Sequence, residues 1–422
     1  MIEELKKNFE SFNKKFIKWP DNTRDKNFKK FIEMGFPNKQ LEDWKFSDFN
    51  NIIAKNFQNL SVNSENLVNF KFDKYINNFD HNKIVLANGS FKEKSFKYEE
   101  KEKFNFVDIK SFDEHLRITI DDQCTNSLNL LNNAFYFDGV SLIINKGYEF
   151  KKPLVIYNVI NTTKENNFLN QKIKIEAGEN SKIDILILNI NLGSVPIFLN
   201  IHNNISLKKN SFVKLYSSND LLEKDILYNF NDVNLLSNSI FENFTFSHSA
   251  IFYKNEIKCK LNQKYSSSFV NGIMLTKNEQ SHEIKARIDH VEENTKSYQK
   301  IKSVLDKNSK AIFQGKIFVD KKAQKTDGYQ LSKAILLDKE SEFNSKPELE
   351  IYADDVKCSH GSTSGSLEED AIFYLMSRGI SRDESKKLLI KGFLIDAIET
   401  ITSEEIKKYF LNKLEKVINE YR

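Results

Sequence analysis

Cysteine is scarce in this sequence: only Cys124, Cys259 and Cys358 occur among 422 residues. Three scattered cysteines do not form a disulfide framework, and such usage is typical of a reducing compartment. The sequence has no CxxC pair and no second cluster of cysteine and histidine, so it carries no complete zinc-binding motif. We expect Cys124 and Cys259 to be buried as small hydrophobic side chains.

Long apolar runs are also missing. The longest, such as residues 183–190, are interrupted by Asp and Asn and are too short to span a bilayer. The first residues alternate in charge and lack an apolar core of signal-peptide length. The formal net charge is only +4, and no dense Lys/Arg block occurs, which argues against nucleic-acid binding. The composition therefore predicts a soluble cytoplasmic protein with neither a membrane nor a nucleic-acid partner.

The first part of the chain has helical periodicity. Apolar side chains recur at spacings of three and four, which place them on one helix face: Leu5, Phe9, Phe12 and Phe16. A second helix is expected to start after Thr23 and to end at Gly35. The remainder is mixed and rich in loops. We assign residues 1–100 to an N-terminal domain with helical and mixed structure.

Residues 101–360 are predicted to form a β core, because apolar and polar residues alternate there with period two. Asn-Ser pairs precede many of the alternating runs and are expected at corners: Asn180-Ser181, Asn210-Ser211, Asn238-Ser239 and Asn308-Ser309. Many short strands with few glycines fit either a β-solenoid or a β-sandwich. The length of the stretch and the repeated corners favour the solenoid.

Residues 361–422 are predicted to form three helices. The first carries Leu367, Ala371, Tyr374 and Leu375 on one face and ends at Gly379. Two capping boxes, Ser381 with Glu384 and Thr402 with Glu405, are expected to start the other two, and the last helix reaches Tyr421. Their apolar faces are broad, so they either form a bundle that closes the solenoid end or provide a docking surface for a partner.

The segment KCSHGSTSG, residues 357–365, holds the main candidate site. In a strand, Val356, Cys358 and His360 point to one face. A thiolate and an imidazole bind iron, zinc or copper, and a nearby imidazolium can make a thiol nucleophilic. The alternative is a packed cysteine followed by a histidine that caps the turn. Two ligands do not complete a metal site, so a bound metal would need further ligands from a partner chain.

Other candidates are weaker. His282, Asp289 and His290 could belong to a hydrolase or a metal site, but the alternation between the two histidines places both on one strand face, which favours a structural role. The GSTSGS run lacks the lysine of a phosphate-binding loop. No group of carboxylates stands out for a carbohydrate-active solenoid enzyme. We therefore expect no catalytic residue in this chain.

Several motifs resemble the SufB/SufD family of iron–sulfur cluster assembly scaffolds. They are KPELEIYADDVKCSHGSTSGSLEEDAIFYLMSRGI, the upstream AIFQGKIFVDKKAQKTDGYQL, the early GFPNKQLEDWKFSD, and LNLLNNAFYFDG with KKPLVIYNV. The Lys-Cys-Ser-His-Gly segment before a YL-SRGI helix resembles the SufD branch in particular. The likeness covers most of the chain, although the N-terminal domain diverges and Ser362 stands where many relatives have alanine.

The resemblance implies a mainly β fold, a right-handed parallel β-helix flanked by N-terminal and C-terminal helical domains. It implies a scaffold without enzymatic activity of its own, which pairs with a SufB-like subunit and binds a SufC-like ATPase through the C-terminal helices. It also implies that Cys358 and His360 lie at the SufB-like interface, where they would ligate iron or a transient iron–sulfur cluster shared with that subunit. The isolated chain is expected to hold no cofactor and could form a homodimer.

We place the ATPase-docking surface at Tyr374, Leu375, Arg378, Leu389 and Phe393. The alternative function is a purely structural spacer subunit, in which Cys358 and His360 have no ligand role.

Overall fold

The computed structural model describes residues 1–15, 23–62, 78–108 and 126–420. Phe16, Cys124 and Tyr421, which the sequence assigns to a helix face or to the core, lie outside the described residues. The described helices are α1 (Ile2–Lys15), α2 (Thr23–Met34), α3 (Phe49–Asn56), α4 (Ser127–Phe135), α5 (Glu369–Ser377), α6 (Arg382–Ile398) and α7 (Glu404–Asn419).

The described strands are β1 (Ser61–Val62), β2 (Asn82–Ala87), β3 (Ser90–Ser95), β4 (Phe104–Asp108), β5 (Gly139–Ile144), β6 (Leu154–Ile160), β7 (Asn167–Ala177), β8 (Lys182–Asn191), β9 (Ile197–Leu207), β10 (Phe212–Asp220), β11 (Ile226–Leu235), β12 (Ile240–Ser247), β13 (Phe252–Leu261), β14 (Ser267–Thr276), β15 (Ser281–His290), β16 (Lys296–Leu305), β17 (Lys310–Val319), β18 (Thr326–Leu336), β19 (Glu342–Ile351) and β20 (Val356–Gly365).

These strands form a β-solenoid of about 8 turns. From β5 onward, odd-numbered strands build one parallel sheet and even-numbered strands the other, so the chain crosses between the sheets at every corner. In the even sheet, Phe212 of β10 pairs with Lys182 of β8 and Ile240 of β12. Antiparallel β4 and β3 flank the first coils. This topology confirms the predicted solenoid, because a sandwich pairs its strands antiparallel.

The corners form as the Asn-Ser pairs predicted. Asn180, Asn210, Asn238 and Asn308 all adopt the left-handed backbone conformation, with φ between 54° and 58°. Asparagine tolerates this conformation better than other non-glycine residues do. The serine that follows then bonds back to the corner: the Ser181, Ser211 and Ser239 hydroxyls donate to carbonyls three residues earlier, at 2.6–2.7 Å.

The apolar core lies between the two sheets. Side chains at alternate positions of both sheets meet there, among them Ile185, Ile205, Val213 and Ile257, all nearly inaccessible to solvent. Cys259 belongs to this core, as predicted, and is a free thiol with no exposed surface. Burial raises the pKa of the Cys259 thiol to about 12, so this cysteine is an inert packing residue.

The N-terminal helices cover the outer face of the odd sheet. The predicted stripe is confirmed for Leu5, Phe9 and Phe12, which are buried against outward aromatic rings of the sheet. The second predicted helix is also confirmed: α2 begins at Thr23, and Gly35 follows its last residue with φ +69°. A positive φ favours glycine at such a helix end.

The C-terminal helices cover the outer face of the even sheet. The Phe410 ring of α7 lies 5.0 Å from Phe244 and 5.9 Å from Phe246, measured between centroids. Truncation of a buried phenylalanine to alanine costs roughly 3–5 kcal/mol, so this packing is a firm attachment. α6 and α7 therefore lie along the flank of the solenoid, not across its end as in the closing-bundle interpretation.

The helix ends follow the sequence signals with one exception. Gly379 has φ +87° and ends α5, and the Ser381 hydroxyl accepts from the Glu384 N–H as a capping box requires. The predicted capping box of Thr402 is wrong. Helix α7 begins at Glu404 with Ser403 as its N-cap, and the Thr402 hydroxyl instead accepts from the Lys214 ammonium at 2.5 Å.

Candidate functional site

The segment 357–365 lies on β20, the last strand of the even sheet. Within the described residues β20 pairs only with β18, and most of its side chains are exposed. β19 ends the odd sheet in the same way, and Tyr352 just beyond it is 59% exposed. The last coil thus leaves backbone donors and acceptors open along both sheet edges, which is the arrangement that pairs with another chain.

Cys358 points to the interior side of β20. Its side chain packs at the edge of a small cluster with Ile317 and Val319, and the thiol is half-buried. Gly328, its register partner in β18, leaves room for the sulfur, since a Cβ there would lie 3.3 Å from Sγ. Burial raises the pKa of the Cys358 thiol, which a Gly328 backbone contact partly opposes. The thiol therefore favours its protonated form, the opposite of an activated nucleophile.

His360 lies two residues further along and is exposed. Because side chains at i and i+2 share a strand face, its imidazole lies on the same side as Cys358, as the sequence predicted. Its register partner in β18 is Gln330, and the next residue in that row is Gln299 of β16. Both glutamines are completely buried, so His360 is the solvent-facing end of a polar interior row.

The donor set fits iron but is incomplete. Sulfur and imidazole nitrogen are donors that bind iron or an iron–sulfur cluster. Among residues 1–15, 23–62, 78–108 and 126–420, no group of three or more His, Cys, Asp or Glu side chains could hold a metal ion. Cys358 and His360 therefore supply at most two donors to a metal that needs about four.

The histidines of β15 are structural. Both are completely buried, and each bonds to hydroxyls: His282 to Ser247 at 2.8 Å, and His290 to Ser297 at 2.8 Å. Burial lowers the pKa of His282 to about 4 and that of His290 to about 3. Asp289 is bound by Arg287 instead, at 2.8 Å, so the three residues form no common site.

The predicted docking residues divide into two groups. Tyr374 is 58% exposed and Arg378 is also exposed, with its guanidinium 5.2 Å from the Tyr374 ring. Leu375, Leu389 and Phe393 are half-buried, and Lys302 lies 4.5 Å from the Phe393 ring centroid. The structure adds Phe373, 72% exposed, and Met376, 41% exposed. We call Phe373, Tyr374 and Met376 the α5 patch. A cluster of exposed apolar side chains on one helix is typical of a docking surface.

Sequence reasoning missed a buried ion pair that joins the N-terminal segment to the solenoid. The Lys254 ammonium lies 2.7 Å from a Glu283 carboxylate oxygen, and neither side chain has exposed surface. The ammonium also donates to the Asp43 carbonyl at 2.6 Å and lies 3.8 Å from the Trp44 ring centroid. This network holds Asp43 and Trp44 against the solenoid, but its members are too far apart in sequence to be matched by spacing.

Among the described residues, no helix is both long and apolar enough to cross a lipid bilayer.

Comparison with known proteins identifies the chain's relatives. Residues 159–393 match the family model for the SUF system FeS cluster assembly SufBD core domain, and residues 2–156 match the SufBD protein N-terminal region. The iron–sulfur cluster assembly protein SufD of Escherichia coli is 26% identical over 278 residues, which are 65% of this chain and 65% of that protein. SufD of Bacillus subtilis is 27% identical over 146 residues, 35% of this chain and 33% of that protein.

A SufBD family protein of Synechocystis is 42% identical over 100 residues, which are 24% of this chain and 22% of that protein. The chain thus matches about two thirds of the length of the Escherichia coli relative and about a fifth of the Synechocystis one. The two family models together cover most of the sequence and meet where the solenoid begins its regular coils. The chain belongs to the SufB/SufD family of iron–sulfur cluster assembly proteins, and its named relatives include SufD proteins.

Proposed function

We propose that this chain is the SufD-like scaffold subunit of a cytoplasmic complex that assembles iron–sulfur clusters. In this complex it pairs with a SufB-like subunit through its last coil and binds a SufC-like ATPase through its C-terminal helices. The observation that carries the proposal is the exposed His360 beside Cys358 on β20, the last strand of the even sheet, which pairs on one edge only within the described residues. Iron or a nascent cluster is the cargo held there, and the isolated chain holds none.

His360 is the first ligand in this proposal. Its imidazole is exposed, whereas the Cys358 thiol is half-buried and favours the protonated form. An incomplete donor set at an open sheet edge suits a site that a second subunit completes. Thiolates of the SufB-like subunit would then supply the missing donors. Without that subunit, the same open edges would allow the chain to pair with a second copy of itself.

The ATPase acts on the last coils through the C-terminal helices. The α5 patch provides its docking surface, and α6 is tied to the even sheet by Asp396, which binds Lys302 and, at 2.9 Å, Lys300. α7 is tied to the same sheet by Lys413, 2.5 Å from Asp220. ATP-driven movement of the docked subunits would therefore shift the sheet that ends in β20 and reshape the site at His360.

The test is anaerobic reconstitution of the full chain with its SufB-like and SufC-like partners, Fe²⁺ and sulfide. Wild type is compared with His360→Ala, Cys358→Ala and the control Ser359→Ala, whose side chain points to the opposite face of β20. Complex mass and cluster absorbance are measured on the same samples. We expect His360→Ala to assemble the complex and to lose most of its cluster, whereas Ser359→Ala keeps it.

A specific alternative is the spacer role, in which the chain only positions its partners. It is favoured by the raised pKa of the half-buried Cys358 thiol, because a protonated thiol is a poor metal ligand. Normal cluster yield in both His360→Ala and Cys358→Ala would establish the spacer role and refute the ligand role. Loss in His360→Ala alone would assign ligation to the imidazole and packing to the cysteine.

A further inference from the structure

Two buried glutamines behind His360 have no hydrogen-bond partner. Gln299, Gln330 and His360 are successive register partners on β16, β18 and β20. In parallel strands such partners stack about 4.8 Å apart on one face. Gln299 and Gln330 have no exposed surface, and neither the Nε2 nor the Oε1 atom of either residue bonds to any described residue.

An unpaired buried amide is costly, about 1–3 kcal/mol for each group, and native proteins rarely leave one. Other amide rows of this solenoid are bonded from coil to coil. Asn158 donates to Asn189 at 2.9 Å, and Asn189 donates to Asn219 at 2.9 Å. The Gln299 and Gln330 amides are therefore unbonded where the stacked Asn158 and Asn189 amides are bonded. Gln330 is the one directly next to the candidate ligand His360.

The opposite sheet makes room for the Gln330 side chain. Gly315 of β17 faces it, and a Cβ at Gly315 would lie 2.8 Å from the Gln330 Oε1 atom. The amide therefore reaches across the interior of the last coils instead of turning toward solvent. Next to it, Ser332 bonds to both Ser345 and Ser362, at 2.7 and 3.0 Å. These hydroxyls are satisfied by one another and do not serve Gln330.

We propose that Gln330 is a positioning residue for His360: its amide oxygen accepts the N–H of the His360 imidazole once a partner subunit covers the end of the solenoid. This bond leaves the other ring nitrogen deprotonated and turned toward the metal. A ligating imidazole requires such an acceptor on its second nitrogen, which fixes the tautomer and the ring orientation. The inference rests on the proposed function, because it specifies how that function's ligand is held.

The experiment uses the reconstituted complex of full-length chains loaded with Fe²⁺ and sulfide. Gln330→Met removes the acceptor at nearly equal side-chain length, and Gln330→Glu keeps an acceptor oxygen. Gln299→Met is the matched control, because Gln299 has the same burial and the same unpaired amide but lies one strand further from His360. His360→Ala is measured in parallel. Cluster retention is titrated with an iron chelator, the visible circular dichroism of the cluster is recorded, and the thermal midpoint reports folding.

We expect Gln330→Met to lower the chelator concentration for half-loss of the cluster about 10–100-fold, the usual effect of losing such a partner. Its circular dichroism should change, and Gln330→Glu should restore retention. The thermal midpoint of the isolated Gln330→Met chain should equal or exceed that of the isolated wild type, since methionine there replaces an unpaired amide. A folding defect would instead lower both midpoint and retention, and Gln330→Glu would then not restore them.

Three results overturn the inference. If His360→Ala loses the cluster while Gln330→Met matches wild type, or if Gln299→Met loses as much as Gln330→Met, then Gln330 has no positioning role and the ligand role of His360 stands. If His360→Ala itself retains the cluster, the ligand role fails and the positioning role fails with it.

Discussion

Replacing Lys254 with methionine is expected to destabilise the fold strongly, because it leaves the Glu283 carboxylate buried without a cation. In the wild type this carboxylate receives the Lys254 ammonium at 2.7 Å, the Gln314 amide at 2.5 Å and the Ser47 hydroxyl at 2.9 Å. The substitution keeps the two neutral donors and removes the only charged one of the three. It also removes the contact between the ammonium and the Trp44 ring, 3.8 Å away.

The size of the effect follows from these contacts. Removing one partner of a buried ion pair costs about 3–5 kcal/mol, because the remaining charge is uncompensated, and a desolvated cation–π contact contributes up to about 2 kcal/mol more. The unfolding entropy is about 2.1 cal/mol/K per residue. For the 422-residue chain, the melting temperature therefore falls by about 1 °C for each ~0.9 kcal/mol of stability that is lost. A loss of about 5 kcal/mol therefore lowers the melting temperature by about 5–6 °C.

The assay is thermal unfolding of wild type, Lys254→Met, Glu283→Gln and the double variant. Removing both charges leaves a neutral amide that can still bind Gln314 and Ser47, so the double variant should regain most of the loss. Such recovery would give a coupling energy of several kcal/mol. The reasoning is refuted if Lys254→Met melts within about 1 °C of wild type, or if the double variant is as unstable as the sum of the two single ones.

Two further predictions concern a corner and a buried carboxyl. Asn210 has φ +56°, so Asn210→Ala should lower the free energy of unfolding by about 1 kcal/mol while Asn210→Gly should not; equal losses in chemical denaturation would contradict this. Burial raises the pKa of the Asp225 carboxyl to about 6. The folded state thus holds this proton more tightly than the unfolded state, and stability should fall by about 2 kcal/mol from pH 4 to pH 6. Carbon-detected NMR titration should give a midpoint near 6, and a midpoint near 4 would refute it.

The elements set by local sequence could be predicted. Alternation at Ile183 and Ile185 predicts a strand with one buried face, and the Asn-Ser pairs predict corners. Both predictions are possible because each signal depends on only a few neighbouring residues. The Cys358/His360 pair could be placed on one strand face for the same reason. Its solvent exposure could not, since that depends on β20 being the last strand of its sheet.

What sequence could not predict depends on pairs far apart in the chain. Thr402 has a capping-box pattern, but Lys214, 188 residues away, binds its hydroxyl instead. Lys254 and Glu283 are register partners of adjacent coils, and so are Gln330 and His360. Such register partners could be identified from the sequence if every coil had the same length. It is not: Phe212 pairs with residues 30 positions before it and 28 after it, so one coil cannot be mapped onto the next by counting.

The flank position of the helical layers has a consequence for how such a chain can change in length. Helices that run alongside a solenoid leave its growing direction unobstructed within the described residues, so a whole coil could be duplicated without rebuilding either layer. Each added coil would displace the end strand by about 4.8 Å, whereas one residue inserted within a strand would invert the inward and outward faces of the rest of that strand. The distance between the C-terminal helices and the terminal strand is thus adjustable in steps of one coil, by evolution or by a protein engineer.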